Sequence, residues 1–178
     1  LHYWKDMLEQ ADLKEGDIPK DWKGFWSFWC DKAQPAVRKA SGKRVYGIGL
    51  PMGVDSTDSF IGFLTFTEAY NVVMVDENGR LKLDDPKVKA GLVAALKDYV
   101  ELYNKGCVPS SATSWKDADN NVAFHNKTTV MTFNPTISIP GKWLDDSTNA
   151  TLTAEQRDEA RKNYDEKIRT VGWPSNPD

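Results

Sequence analysis

Histidine and cysteine are scarce in this 178-residue sequence, with two of each. The cysteines, Cys30 and Cys107, have no CxxC or Cys/His spacing, so no zinc or redox site is encoded. They are either two unrelated buried thiols or one disulfide, and the disulfide requires an exported protein. His2 and His125 lie far apart and read as surface or capping residues rather than bases. There is no excess of positive charge: the net charge is -3 and the pI is about 5.5. Nucleic acid and anionic membrane are therefore excluded as main partners, because both need a basic face. No apolar run reaches the ~20 residues that span a bilayer. No secretory signal is visible either, and the sequence opens on Leu1 rather than methionine.

Catalytic motifs are missing as well. There is no phosphate-binding loop, nucleophile elbow or zincin helix, and no carboxylate pair stands out as an acid/base couple. No cofactor or metal is implied. Gly47-Ile48-Gly49-Leu50-Pro51-Met52-Gly53 has the wrong spacing for a dinucleotide loop, and Pro51 prevents a helix from starting at the glycines. It reads as a strand end whose loop approaches something closely. The sequence thus argues against an enzyme.

Aromatic residues are plentiful, with seven tryptophans. Trp22, Phe25, Trp26, Trp29, Ala33, Ala36 and Val37 recur at helical spacing after a capping Asp21, and this stripe has the width of a core face. Pro35 inside it predicts a kink or split. Leu1 to about Leu13 reads as a helix start. Arg44 to Leu50 reads as a strand, Thr57 to Tyr70 as a helix. Val72–Val75 and Leu81–Leu83 flank Asn78-Gly79, a hairpin signal. Asp85-Pro86 opens a long helix, with Val88, Leu92, Leu96, Tyr99 and Tyr103 on its buried face and Gly106 at its end. Ser114 and Asp117 predict a capping box for a helix running to His125. Thr128 to Phe133 is a strand. Thr153 and Gln156 cap a charged helix ending near Lys167, and Arg169 to Trp173 is a last strand. The alternation of strands and helices predicts an α/β fold.

Several segments together resemble the extracellular solute-binding proteins of ATP-binding-cassette importers, in the branch that mostly carries sugars. Tyr3-Trp4-Lys5-Asp6-Met7-Leu8-Glu9-Gln10-Ala11 looks like the stretch after the first interdomain crossing. Asp76-Glu77-Asn78-Gly79-Arg80 with Asp84-Asp85-Pro86-Lys87-Val88 matches the family's hairpin and following helix. Trp115-Lys116-Asp117, Ala123-Phe124 and Thr129-Val130-Met131-Thr132 match its helix-then-strand signature. Gly172-Trp173-Pro174 with Asn176-Pro177-Asp178 looks like the second crossing. The resemblance covers nearly the whole chain. It implies one lobe of a two-lobed periplasmic-binding-protein-like fold, with helices around a small mixed sheet. Residues 1–178 would form the C-terminal lobe, with the N-terminal lobe and a signal peptide outside this chain. It implies a non-catalytic protein, periplasmic or extracellular, whose partners are a small-molecule solute and a membrane permease. A carbohydrate-active enzyme domain is the alternative.

A sugar cleft needs aromatic faces for ring C–H groups and fixed polar groups for hydroxyls. Three segments qualify. After the first strand come Met52, Asp55 and Asp58. At the start of the Trp115 helix, Asp117, Asn120, Asn121 and Phe124 fall at i, i+3, i+4 and i+7. Trp115 is either a core or a stacking residue. After the second strand come Asn134 and Thr136, in a loop where well-known sugar-binding relatives carry an aromatic and this sequence has none. A polyol or other polar solute is therefore an alternative to a sugar. Asp55, Trp115, Asp117, Asn120 and Asn134 are expected to line one concave surface beside the chain termini.

Overall fold

A computed structural model describes residues 1–177 of the chain. Asp178, the last residue of the expected second crossing, lies outside the described residues. The strands are β1 (His2–Trp4), β2 (Tyr46–Gly49), β3 (Thr129–Thr132) and β4 (Ile168–Thr170). They form one mixed sheet in the order β2-β3-β1-β4. β2 runs parallel to β3, and β1 is antiparallel to both β3 and β4. His2 sits opposite Thr132 on one side and Thr170 on the other. The start of β1, the end of β4 and the carboxyl ends of β2 and β3 therefore share one edge.

β1 corrects the expectation of a helix from Leu1. His2, Tyr3 and Trp4 are all buried, so the 3.6-residue pattern starts only with α1 (Lys5–Gln10). Trp4 stacks on Phe124 with ring centroids 5.0 Å apart and donates Nε1–H to the Phe124 carbonyl at 2.8 Å.

The aromatic stripe is core, as its width predicts: Trp22, Phe25, Trp26, Trp29, Ala33 and Val37 are buried. It forms α2 (Trp22–Ser27), a π-helical segment at Phe28–Ala33 and α3 (Gln34–Ser41). Asp21 caps it by accepting from Gly24 N–H at 2.8 Å. Pro35 has no N–H to close an α-turn, and it leaves no break here. The wider turn just upstream absorbs it, with Gln34 N–H reaching the Trp29 carbonyl five residues back. That carbonyl faces β2, where a Cβ on Gly47 would lie 2.0 Å from it. Gln34 ties the layers together: its Oε1 accepts from Gly47 N–H at 2.7 Å, and its Nε2 donates to the Gly106 carbonyl at 3.2 Å. Cys30 and Cys107 are disulfide-bonded beside this junction, with Cα atoms 5.1 Å apart.

α4 (Thr57–Ala69) packs on α5 (Pro86–Asn104). The hairpin between them is reduced to one bridge, Val75 to Leu81, with Gly79 at φ 77°. Its apolar residues Val73, Val75, Leu81 and Leu83 are exposed, so burial does not extend the pairing. Asp85 caps α5 as expected, accepting from Lys87 and Val88 N–H. The buried line of α5 is Val88, Ala95, Tyr99 and Leu102, while Leu96 is exposed. Steps of four residues overshoot the helical repeat by about 40° each, which rotates Leu96 off the face that Val88 occupies.

The remaining helices are α6 (Asp119–His125), α7 (Ser138–Thr148) and α8 (Ala154–Lys162), the last extended by a π-helical segment at Asn163–Lys167. The expected Thr153/Gln156 capping box is present. The Ser114/Asp117 box is not. A 3-10 turn at Ser110–Ser114 and extended Trp115 precede α6, which starts at Asp119.

Candidate ligand-binding site

The loops at the carboxyl ends of β2 and β3 meet at the edge described above, where ligands bind open α/β sheets. Asp117 reaches across from the loop before α6. Its Oδ1 accepts from Ser56 Oγ at 2.8 Å and from Asp58 N–H at 3.1 Å, at the first turn of α4. The donation from Asp58 N–H, then that from Ser56, hold its carboxyl below the ordinary value. Asp117 was expected to cap its own helix; it clamps a neighbouring one instead.

Behind it, Asn120 is fully buried. Its Nδ2 donates to the Phe133 carbonyl at 2.8 Å and to Asp58 Oδ2 at 3.2 Å. Its Oδ1 is buried without a partner. Asp58 is buried too. Desolvation raises its pKa, the Asn120 bond opposes that, and the Asp117 charge adds to it.

The third loop is organised by Asn134. Its Oδ1 accepts from Thr136 N–H at 2.9 Å and Thr136 Oγ1 at 2.8 Å, and its Nδ2 donates to Asn121 Oδ1 at 2.6 Å. Asn121 Nδ2 in turn donates to Ser138 Oγ at 3.0 Å. Asn121 belongs to the expected Asp117, Asn120, Asn121 and Phe124 stripe, while Ser138 was not singled out. The two asparagines do not share one face as the stripe implied: neighbours on a helix point apart, and Asn120 goes inward while Asn121 goes toward the loop.

His2 links this loop to the sheet, with Nε2 3.3 Å from the Thr136 carbonyl and Nδ1 2.9 Å from Thr170 Oγ1. It is not the surface residue expected from sequence. It is buried, and burial pushes its pKa down to about 4.

Two expected residues serve packing. Met52 is half-buried against the core and its N–H donates to the Ala112 carbonyl at 3.0 Å. Trp115 is buried, and its Nε1 donates to Ser111 Oγ at 3.1 Å. Its carbonyl lies where a Cβ on Gly53 would be, 2.1 Å away. This close approach is what the glycine-rich strand end provides. The core alternative for Trp115 therefore holds, because the missing helical turn drops the ring inward. Asp55 is exposed next to Val54, which is 96% exposed.

Asp58, Asp117 and Asn120 thus form one polar cluster, and Asn134 and Thr136 a second on the adjacent strand end. The Phe133 carbonyl, which accepts from Asn120 Nδ2, joins them. The grooves between α2 and α5, beside Gly172–Ser175 and between α7 and α8 contain none of the expected residues. Among the described residues no group of three or more His, Cys, Asp or Glu could hold a metal. No helix among them is long and apolar enough to cross a membrane.

A family profile described as bacterial extracellular solute-binding protein matches residues 1–177. A comparison with curated proteins gave no match. Among solved structures, a solute-binding protein of an ABC transporter from Thermotoga lettingae, bound with alpha-D-tagatose, is similar at TM-score 0.67 and 20% identity, over 98% of this chain and 38% of that one. Maltose-bound MalE3 from T. maritima is similar at TM-score 0.65 and 22% identity, over 98% and 37%. A sugar transporter from Arthrobacter chlorophenolicus with bound laminaribiose gives TM-score 0.59 and 16% identity, over 79% and 32%. The chain spans roughly a third of the length of these proteins.

Proposed function

The chain belongs to the bacterial extracellular solute-binding proteins, and from that membership we propose that it captures a carbohydrate or related polyol for import. Capture takes place at the shared edge of β2 and β3, and the loaded protein docks on the membrane permease of an ATP-binding-cassette importer. It works outside the cytoplasm, periplasmic or extracellular, where a disulfide such as Cys30–Cys107 persists.

The observation that carries this reading is the convergence of three loops on one edge. Apart from exposed Asp55, their amides, hydroxyls and carboxylates are held by hydrogen bonds within the edge, so their geometry is fixed before a ligand arrives. Asp55, Asp58, Asp117, Asn120, Asn134 and Thr136 form the ligand-facing set and its supports. Asn121 and Ser138 belong with them, and Met52 and Trp115 shape the floor. The resemblance to sugar-bound structures supports a carbohydrate as the solute. Their greater length supports a second lobe, supplied by a longer chain, that closes over the ligand. A carbohydrate-active enzyme is less favoured, because Asp117 is occupied in clamping α4 and the Asp58 carboxylate accepts from Asn120.

Calorimetry with maltose, laminaribiose and tagatose tests the reading. At least one should bind. Asn134→Ala, which frees Thr136, Asn121 and Ser138, should weaken that binding about five- to a hundredfold while the melting transition stays cooperative. Unchanged affinity in the folded variant would remove this edge as the site.

A further inference from the structure

The candidate edge is acidic. Asp55, Asp58, Asp117 and Asp119 come from the loop after β2, the start of α4 and the approach to α6. In these segments and in the loop after β3, Lys116 is the one cationic side chain. Most of the carboxylates are engaged. Asp117 accepts from Ser56 and Asp58, Asp58 from Asn120, and Asp119 from Lys116 N–H at 2.7 Å. The positive end of α4 is met by Asp117, so it offers nothing to an anionic ligand.

Of the unmatched groups here, Asp55 and Asn120 Oδ1 only accept hydrogen bonds, while the buried Ser59 Oγ can also donate. Asp55 is exposed and has no hydrogen-bond or ion-pair partner among the described residues. Asn120 Oδ1 is wholly buried beside Asp58 and has no donor. A carboxylate and an amide oxygen only accept. Asn120 Oδ1 lies out of a ligand's reach, so the ligand-facing acceptor is Asp55; a ligand that meets it brings donors, and positive charge gains most from it. The loops after β2 and β3 also carry two aliphatic side chains open to solvent, Val54 at 96% and Ile137 at 80% exposure, which suit the C–H face of a sugar ring.

We propose that this edge selects a sugar carrying a primary amine over the neutral or acidic sugar of the same ring, with Asp55 as the specificity-determining carboxylate. The inference rests on the carbohydrate reading above. An ammonium supplies three donors and a positive charge where one hydroxyl supplies a single donor. A sugar acid meets like charge and a surplus of acceptors, which discriminates against it.

The test compares glucosamine, glucose and glucuronate, and their β-1,4-linked dimers, by calorimetry on the protein at low ionic strength. The amine-bearing sugar should bind about two- to fivefold tighter than the neutral one, the scale of one exposed ion pair. Glucuronate should bind weakest. Raising the salt should shrink the preference, and Asp55→Asn should collapse the amine-to-neutral ratio towards one. Equal or tighter binding of the neutral or acidic sugar would overturn this inference and leave carbohydrate capture standing. So would a ratio that survives Asp55→Asn. Binding by none of the three classes, on protein that binds maltose, laminaribiose or tagatose, would overturn this inference alone; no binding of any of these sugars, on protein that melts cooperatively, would overturn the carbohydrate reading with it.

Discussion

Reducing the Cys30–Cys107 disulfide perturbs the fold in a way that can be worked through. The bond closes a loop between cysteines 77 residues apart. In the chain-entropy account, a loop of that size restricts the unfolded chain enough to add about 4.5 kcal/mol of stability. Both sulfurs sit in the core, so removing the bond adds little solvent exposure to the folded state. The bond also fixes the π-helical segment to the stretch that follows α5, beside the Gly47 contact. Urea unfolding of oxidised and reduced protein reads the difference. With a slope of about 2–3 kcal/mol/M for a chain of this size, the midpoint should fall by roughly 1.5–2 M on reduction. Cys30→Ala/Cys107→Ala should match the reduced protein, and titration of the unfolded, unreduced protein should find no free thiol. Two free thiols in oxidising conditions, or an unchanged midpoint, would refute the reasoning.

Gly47→Ala should destabilise the protein by about 2–4 kcal/mol, because the new Cβ meets the Trp29 carbonyl at 2.0 Å and backbone must move; thermal melting checks this. His2 predicts a pH dependence. Its folded pKa of about 4 lies below the ordinary 6.5, so the folded state binds fewer protons. The stability from keeping it neutral, on the order of 3 kcal/mol, is present above pH 6.5 and lost as pH falls towards 4. Denaturation midpoints across that window should drop less steeply in a folded His2→Gln variant than in the parent.

Much of the fold was legible wherever one local signal dominated. Asp21, Asp85 and Thr153 each offer a short side-chain acceptor ahead of a periodic run, and each caps a helix. The Trp22–Val37 stripe reads as core from its spacing alone. Tertiary packing decided the rest. His2-Tyr3-Trp4 is a strand because it lies between β3 and β4, partners more than a hundred residues away. The exposed Val73–Leu83 segment has the turn and the apolar residues of a hairpin, yet no surface to bury them against. At the site, residue types were readable and their partners were not. Asp117 looks like a cap for its own helix, and only the folded chain brings it to Ser56 and Asp58. Trp115 could as well have stacked on a ligand, until an extended residue in place of a helical one sent its ring into the core.

The central claim is that the edge shared by β2 and β3 holds the solute, and a backbone amide NMR map on this protein tests it most directly. Site-resolved shifts report binding even where affinity is weak. Titration with maltose or tagatose should move the amides of Val54–Asp58, Asp117–Asn121 and Asn134–Ser138, and leave those around Trp22, Trp26 and Leu102 in place. Shifts confined to that second groove, or to the one between α7 and α8, would contradict the account, as would no shift with any sugar.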